Sequence, residues 1–188
     1  MLLPFIAWAV TGVFFFFKPG YKNAYQPLLI KTYPIEQRIF PSSRKSWLEI
    51  RQLKTILGDH LIVKAEQGWQ HLSLETLDKI EQPNKKHIAL LINDAIKDNY
   101  ERYGEIKFID QFLITTTTDV RITLDWNNMT LRQQGIDTDF INTIYNIHYL
   151  RWTGIKAIDQ VLGVVGLMLV LLLAGIGVTM TLRTNKAT

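Results

Sequence analysis

Apolar positions in this chain fall into long unbroken runs at the two ends and short periodic runs between them. From Val161 to Leu182, VLGVVGLMLVLLLAGIGVTMTL passes 22 residues without a charge. At about 1.5 Å rise per residue, a helix of that length covers the roughly 30 Å hydrocarbon core of a bilayer. The start, Met1 to Phe17, is apolar throughout and meets Lys18-Pro19-Gly20, where Pro and Gly stop a helix. A helix of that length reaches only about 25 Å, so a second span here thins the bilayer or leans on Lys18, Tyr21, Lys22 and Tyr25 as interfacial anchors. No basic stretch opens the run and no small-x-small site closes it, which favours a retained anchor over a cleaved signal.

The middle of the chain shows two similar passages. In the first, Trp47, Ile50, Leu53 and Leu57 are at helical spacing, predicting a helix from about Ser43 to Leu57 with Gly58 as its stop. HLIVKAEQ and QHLSLETL follow around Gly68-Trp69. With those two residues as the turn, Ala65 faces Leu72, Val63 faces Leu74 and Leu61 faces Thr76, a hairpin with one mostly apolar face. The second passage opens with Ile88, Leu91, Ile92, Ala95 and Ile96, an amphipathic helix ending at Gly104. EIKFIDQFLI reads as a strand, Thr115 to Thr118 as a strand end or connection, and VRITLDW with MTLRQQ as a hairpin about Asn127-Asn128. In that hairpin Trp126 faces Met129 and Leu124 faces Leu131.

Both passages therefore read helix, strand, strand, and the expected fold class is α+β: a tandem helix plus antiparallel strands between two transmembrane α-helices. Asp137 to Trp152 starts with acids and ends in Tyr145, Tyr149 and Trp152, the pattern of an amphipathic helix at the membrane interface. The predicted division is a membrane helix at 1–18, an external α+β domain at 19–136, an interfacial helix at 137–157, a second membrane helix at 158–183 and a tail at 184–188.

Charge adds orientation. The chain carries 21 basic and 17 acidic residues; with Arg183 and Lys186 beyond the last apolar run, no basic patch remains in the middle to suggest nucleic acid. Those two residues favour a cytoplasmic tail by the positive-inside rule, which places both termini inside and residues 18 to about 158 outside. Absence of cysteine excludes disulfides, thiolate-held Fe–S clusters and thiol catalysis. Gly163, Gly166, Ala174, Gly177 and Thr181 share one face of the last span, a smooth surface suited to another helix in lipid.

Candidate chemistry is sparse. His60, His71, His87 and His148 are the available imidazoles. In the hairpin register above, His60 lies across from Leu77 and His71 across from Glu66, several residues apart, and no pair has metal-ligand spacing. His148, beside Tyr145, Tyr149 and Trp152, reads as a hydrogen-bonded interfacial anchor. Asp110 falls on the Ile106, Phe108 and Phe112 face, and a strand end or bulge that exposes it is the simplest reading. Asp125 and Asp159 have no second carboxylate at a spacing for acid and base work, and there is no phosphate-cradling Gly loop. The reading contains no catalytic, cofactor or metal residue and no small-molecule substrate.

His148 to Val178, HYLRWTGIKAIDQVLGVVGLMLVLLLAGIGV, resembles the closing segment of PepSY-associated transmembrane proteins, with an H-x-L approach and a Gly-studded last span at His148, Leu150, Gly154, Gly163 and Gly166. Residues 9 to 21, AVTGVFFFFKPGY, are similar to that family's first span. The resemblance implies a bacterial inner-membrane protein with a periplasmic PepSY-like domain. Some larger relatives are implicated in ferric siderophore reduction through histidines inside their spans, and neither apolar run here contains a histidine. The function expected is therefore a non-catalytic accessory or assembly subunit that binds other integral membrane proteins and the lipid bilayer, without a cofactor of its own. Two alternatives stand beside it: a haem- or metal-contacting subunit of a redox complex, through His148, and a peptidase inhibitor, which other PepSY modules imply.

Overall fold

The structure, a computed structural model, describes residues 3–36 and 47–184. The chain divides into two compact units, Lys22–Asp137 and the pairing of Met1–Tyr21 with Thr138–Thr188. The fold class is α+β, with two antiparallel sheets, several helices and one long apolar helix near the C-terminus.

In the Lys22–Asp137 unit, the first sheet is a meander of β1 (Trp47–Thr55), β2 (Gly58–Ala65) and β3 (Gly68–Leu72). Here the helix expected from Ser43 to Leu57 gives way to a strand; its first four positions lie outside the described residues. Spacings of three and four among four apolar residues do not distinguish a helix from an edge strand. What decides is β2, whose His60, Leu61, Ile62 and Val63 are all buried and so need a paired strand on each side. Gly58, expected as a helix stop, opens β2 at φ 112° after the two-residue turn Ile56-Leu57. The tandem repeat fails with it, because the helix belongs to the second passage only.

The register of the second hairpin also differs. Ala65 pairs with Gly68 and Leu61 with Leu72, so the turn is Glu66-Gln67 and Gly68-Trp69 begins β3. The slip is four positions along the partner. An even slip leaves every side chain on its original face, so alternation of apolar and polar residues could not reveal it.

The second passage is helical where expected, but the single helix expected to run to Gly104 is broken after Ile96. α3 (Lys85–Ile96; a one-turn α2, Tyr21–Ala24, precedes the sheets) buries Ile88, Leu91, Ile92 and Ile96, each worth about 1.5–3 kcal/mol on transfer from water. Asn84 caps it by accepting the His87 amide at 3.0 Å. After one 3₁₀ turn, α4 (Tyr100–Tyr103) ends at Gly104, φ 58°, where a Cβ would come within 2.2 Å of Thr117 Oγ1, so glycine is required there.

The second sheet is β4 (Ile106–Asp110), β5 (Leu113–Thr116), β6 (Arg121–Asp125) and β7 (Thr130–Gln134) in sequential order. EIKFIDQFLI, expected as one strand, is β4 and β5 folded about Gln111-Phe112. Asp110 is exposed at the end of β4, so the strand end takes it off the apolar face. Leu124 pairs with Leu131 in the expected register, while Trp126 and Met129 sit in the turn with their side chains in the core.

That core joins α3 and the inward residues Ile114, Ile122 and Leu124 to Ile62 of the first sheet and to Leu28 and Ile30 of the preceding segment. The segment is pinned by Tyr33, which pairs with Lys54 of β1 and donates through its hydroxyl to buried Asp94 of α3 at 2.9 Å. Burial alone would raise the Asp94 pKa, but Lys97 at 2.6 Å and Tyr33 outweigh it and hold the carboxyl below its ordinary value.

In the other unit, α1 (Leu3–Phe17) runs antiparallel to α5 (Ile136–His148), with Phe14 against Phe140, Phe15 stacked on Tyr145 at 4.4 Å and Trp8 stacked on His148 at 5.3 Å. Away from that contact Ile6, Val10, Val13, Phe16 and Phe17 of α1 are exposed. α5 stops at His148, short of Trp152, and Leu150 adopts φ 54° in the turn that follows. α6 (Lys156–Thr184) contains a 27-residue segment, Lys156–Leu182, none of it buried, charged only at Lys156 and Asp159 near its start, and long and apolar enough to cross a membrane.

Candidate functional site

The chemistry-bearing cluster of the Lys22–Asp137 unit is a hydrogen-bonded chain through the core. Because His71 pairs with Ile62, its ring lies on the same face of the first sheet as His60, two residue pairs along and so at the next position of that face. His60 Nδ1 is 2.9 Å from His71 Nε2, His60 Nε2 is 2.7 Å from Thr55 Oγ1, and His71 Nδ1 is 3.1 Å from the carbonyl oxygen of Trp126. The expectation that these two histidines are several residues apart is thus overturned, and the four-position register slip is the reason.

Donor and acceptor roles follow from one fixed end. A carbonyl only accepts, so His71 Nδ1 carries a proton and, in the neutral ring, His71 Nε2 accepts from His60 Nδ1. His60 Nε2 then accepts from the Thr55 hydroxyl, whose oxygen accepts the Leu57 amide at 3.0 Å. Every polar atom in the chain is satisfied with both rings neutral and both as the Nδ1–H tautomer. Trp126 closes over the pair, its ring 4.3 Å from His71 and 5.9 Å from His60.

Both imidazoles are buried, His60 4% and His71 0% exposed. Burial pushes each pKa down from 6.5 to about 4; for His60 the neighbouring His71 adds to the effect, while for His71 the Trp126 carbonyl opposes it. The folded-state values are depressed, so the unfolded chain takes up protons first as pH falls. The stability these groups contribute is complete above about pH 6.5 and drains away toward pH 4, by up to about 1.4 kcal/mol per histidine per pH unit.

Thr55, His60 and His71 share the connectivity of a hydroxyl nucleophile, a base and an orienting group. Thr55 is only 3% exposed, however, and is not part of the adjoining cleft wall. A substrate has no approach to that hydroxyl, and the chain acts as a polar brace. The cleft itself, about 500 Å³, is lined by Asp59, His60, Glu81, Asn84, His87 and Trp126 among others. Among the described residues no three His, Asp or Glu side chains gather as metal ligands would.

A second buried polar junction lies at the end of this unit. Arg102 of α4 donates to Asp137 at 2.6 Å and 3.3 Å and, through Nε, to Gln133 Oε1 at 2.8 Å, where the Tyr103 hydroxyl also donates. Its side chain is 9% exposed, so the planar fork is nearly closed off from water.

The residues singled out for membrane contact belong to the other unit. His148 Nδ1 lies 2.9 Å from Thr11 Oγ1, which also approaches the Ala7 and Trp8 carbonyls, so His148 donates to a hydroxyl that donates back to its own helix. Tyr145 packs under Phe15, and Tyr149 and Trp152 are exposed. On α6, a Cβ at Gly166 would meet Leu150 Cδ1 at 2.5 Å and one at Gly163 the Tyr149 carbonyl at 3.8 Å, so this end of the small-residue face is occupied by the chain itself. Ala174, Gly177 and Thr181 are exposed, and nothing lies within 4 Å of a Cβ at Gly177.

Taken together, the molecule is an α+β module joined to a long exposed apolar helix, with a buried histidine brace beside an open cleft. No family model, no curated protein and no solved structure matches this chain.

Proposed function

We propose that the protein is a membrane-anchored, non-catalytic accessory subunit that binds other integral membrane proteins. The observation that carries the reading is α6: the 22 uncharged residues from Val161 to Leu182 lie without burial, which water disfavours, and its Ala174, Gly177 and Thr181 leave an open small-residue surface. Helix α3 followed by a four-stranded antiparallel meander supports the PepSY-like reading of the globular unit. α1, apolar and exposed around most of its circumference, supports a second, short membrane segment. With two spans and a basic tail, both termini are cytoplasmic and the α+β unit is periplasmic in a bacterial inner membrane.

Two measurements test this. Reporter fusions after Thr188 and after Asn128 should give opposite compartment signals; equal signals rule out the two-span arrangement. Affinity purification of the intact chain from native membranes should recover a stable complex, and Gly177→Leu should lower partner recovery partially, since such helix contacts are worth on the order of 1 kcal/mol. Unchanged recovery would mean that this face only meets lipid. Gly166→Leu is the poorer probe, because its side chain collides first with Leu150.

A further inference from the structure

We propose that the end of α5 enters the membrane instead of resting on it: the turn from His148 to Arg151 is a re-entrant wedge among the acyl chains of the periplasmic leaflet, with Leu150 keyed into α6. This placement rests on the spanning reading of α1 and α6, which supply two rulers of depth. Along α1, the last apolar residue before Lys18 is Phe17. At about 1.5 Å per residue, Phe15, stacked on Tyr145, lies about 3 Å inside that boundary, and Thr11, bonded to His148, about 9 Å. Along α6, the uncharged run opens at Val161. On the same rise, Gly163, where a Cβ would meet the Tyr149 carbonyl, lies about 3 Å inside, and Gly166, where a Cβ would meet Leu150 Cδ1, about 8 Å. Two helices of unrelated sequence therefore place the end of α5 at the same depth.

The turn is suited to a place without water. The amides of Tyr149, Leu150 and Arg151 donate back to the Tyr145, Ile147 and Asn146 carbonyls at 2.9, 3.3 and 2.9 Å, so these donors need no solvent. That closure holds Leu150 at φ 54°, where helix ends usually carry glycine. A leucine is strained there, and a turn in water would gain nothing from it. Its side chain instead fills the notch of Gly166, 2.5 Å from where a Cβ would stand. His148 is closed in as well, stacked on Trp8 and edge-on to Phe15 and Tyr149. Exposed Asn146 stands about 3 Å nearer the surface than His148. The Arg151 guanidinium lies over Tyr149 at 5.3 Å, on a stem long enough to reach the headgroups. From there the chain returns to the surface through exposed Trp152 and Lys156.

Because the chain has no cysteine, single cysteines can be introduced into the full-length protein and spin-labelled. In vesicles of phosphatidylcholine and phosphatidylglycerol, accessibility to oxygen relative to a nickel chelate measures the depth of each label. Thr143, Ile147, Val165 and Leu171 are all exposed positions. Thr143→Cys should read as headgroup level and Leu171→Cys as the bilayer centre. Ile147→Cys should read well below Thr143→Cys and match Val165→Cys on α6. An Ile147 label at headgroup level, with the Leu171 label deep, would overturn the wedge and leave the span standing. A Leu171 label in water would overturn the spanning reading and the wedge with it. Adding Gly166→Leu should drive the Ile147 label outward toward the Thr143 reading, and an unchanged depth would overturn the keying of Leu150. If that variant does not fold, the depths in the parent background decide alone.

Discussion

His71→Leu should lower the unfolding free energy of the α+β unit by about 3 kcal/mol. The volume change is small, but the Trp126 carbonyl and the His60 Nδ1–H lose the partners they have among the described residues, and each unsatisfied buried group costs about 1–3 kcal/mol. The informative comparison is His60→Leu with His71→Leu. Removing both rings costs only the two ends of the chain a partner: the Thr55 hydroxyl proton loses its acceptor and the Trp126 carbonyl its donor, while the Thr55 oxygen keeps the Leu57 amide. The double variant should therefore cost less than the two single ones added together, by roughly 1 kcal/mol or more. Denaturant midpoints of the full-length chain in micelles, read by near-ultraviolet circular dichroism, measure this. Strict additivity would mean that the rings act as separate core fillers and not as one chain. The acid dependence is a second signature: above about pH 6.5 the parent should exceed the double leucine variant most, and the difference should shrink as pH falls toward 4.

Asp137→Ala is the other substitution expected to do most harm, at about 2–4 kcal/mol. It leaves the Arg102 guanidinium, 9% exposed, without its bidentate partner, and an unpaired buried charge costs more than an intact pair gains. Asp137 itself is about a third exposed, which keeps the figure below that of a fully buried pair. Arg102→Met with Asp137→Ala should recover part of the loss, because methionine follows the path of the arginine stem without its charge. The same unfolding measurement checks it, and a neutral single variant would show that the fork is solvated in solution. Neither residue belongs to the small-residue face of α6, so partner recovery from membranes should follow the folded fraction only.

The reach of the sequence can be traced through particular residues. Val161 to Leu182 is apolar in every direction, so no tertiary contact was needed to recognise a helix able to cross a membrane. Ile88, Leu91, Ile92 and Ile96 repeat with the helical period, so local physics alone locates α3, and Gly104, whose positive φ favours glycine, marks the end of α4 one 3₁₀ turn further on. The hairpin about Asn127-Asn128 was also legible, since a centred turn and apolar pairs agreed. Trp47 to Leu57 was misread because its periodicity suits both a helix and an edge strand. The choice was made by β2, which buries both faces and demands a neighbour on each side.

The candidate site turned on a subtler matter. Glu66-Gln67-Gly68 repeats the arrangement of Ile56-Leu57-Gly58, a two-residue turn followed by glycine at positive φ, and that likeness was the available signal for the true register. Shifting β3 by four positions changes no residue's face, so the one-dimensional pattern was silent about it. The shift nevertheless decides whether His60 and His71 are strangers or hydrogen-bonded partners. Thr55, Trp126, Arg102 and Asp137 were equally invisible as partners, because a hydrogen bond between residues 55 apart, or 35 apart, depends on which strands and helices pack together. The sequence by itself determined the membrane-competent helix, α3 and the α+β class, since these rest on local period and composition. Only the tertiary structure decided the strand register, the histidine chain and the arginine fork, since these rest on pairings between distant segments that local pattern does not encode.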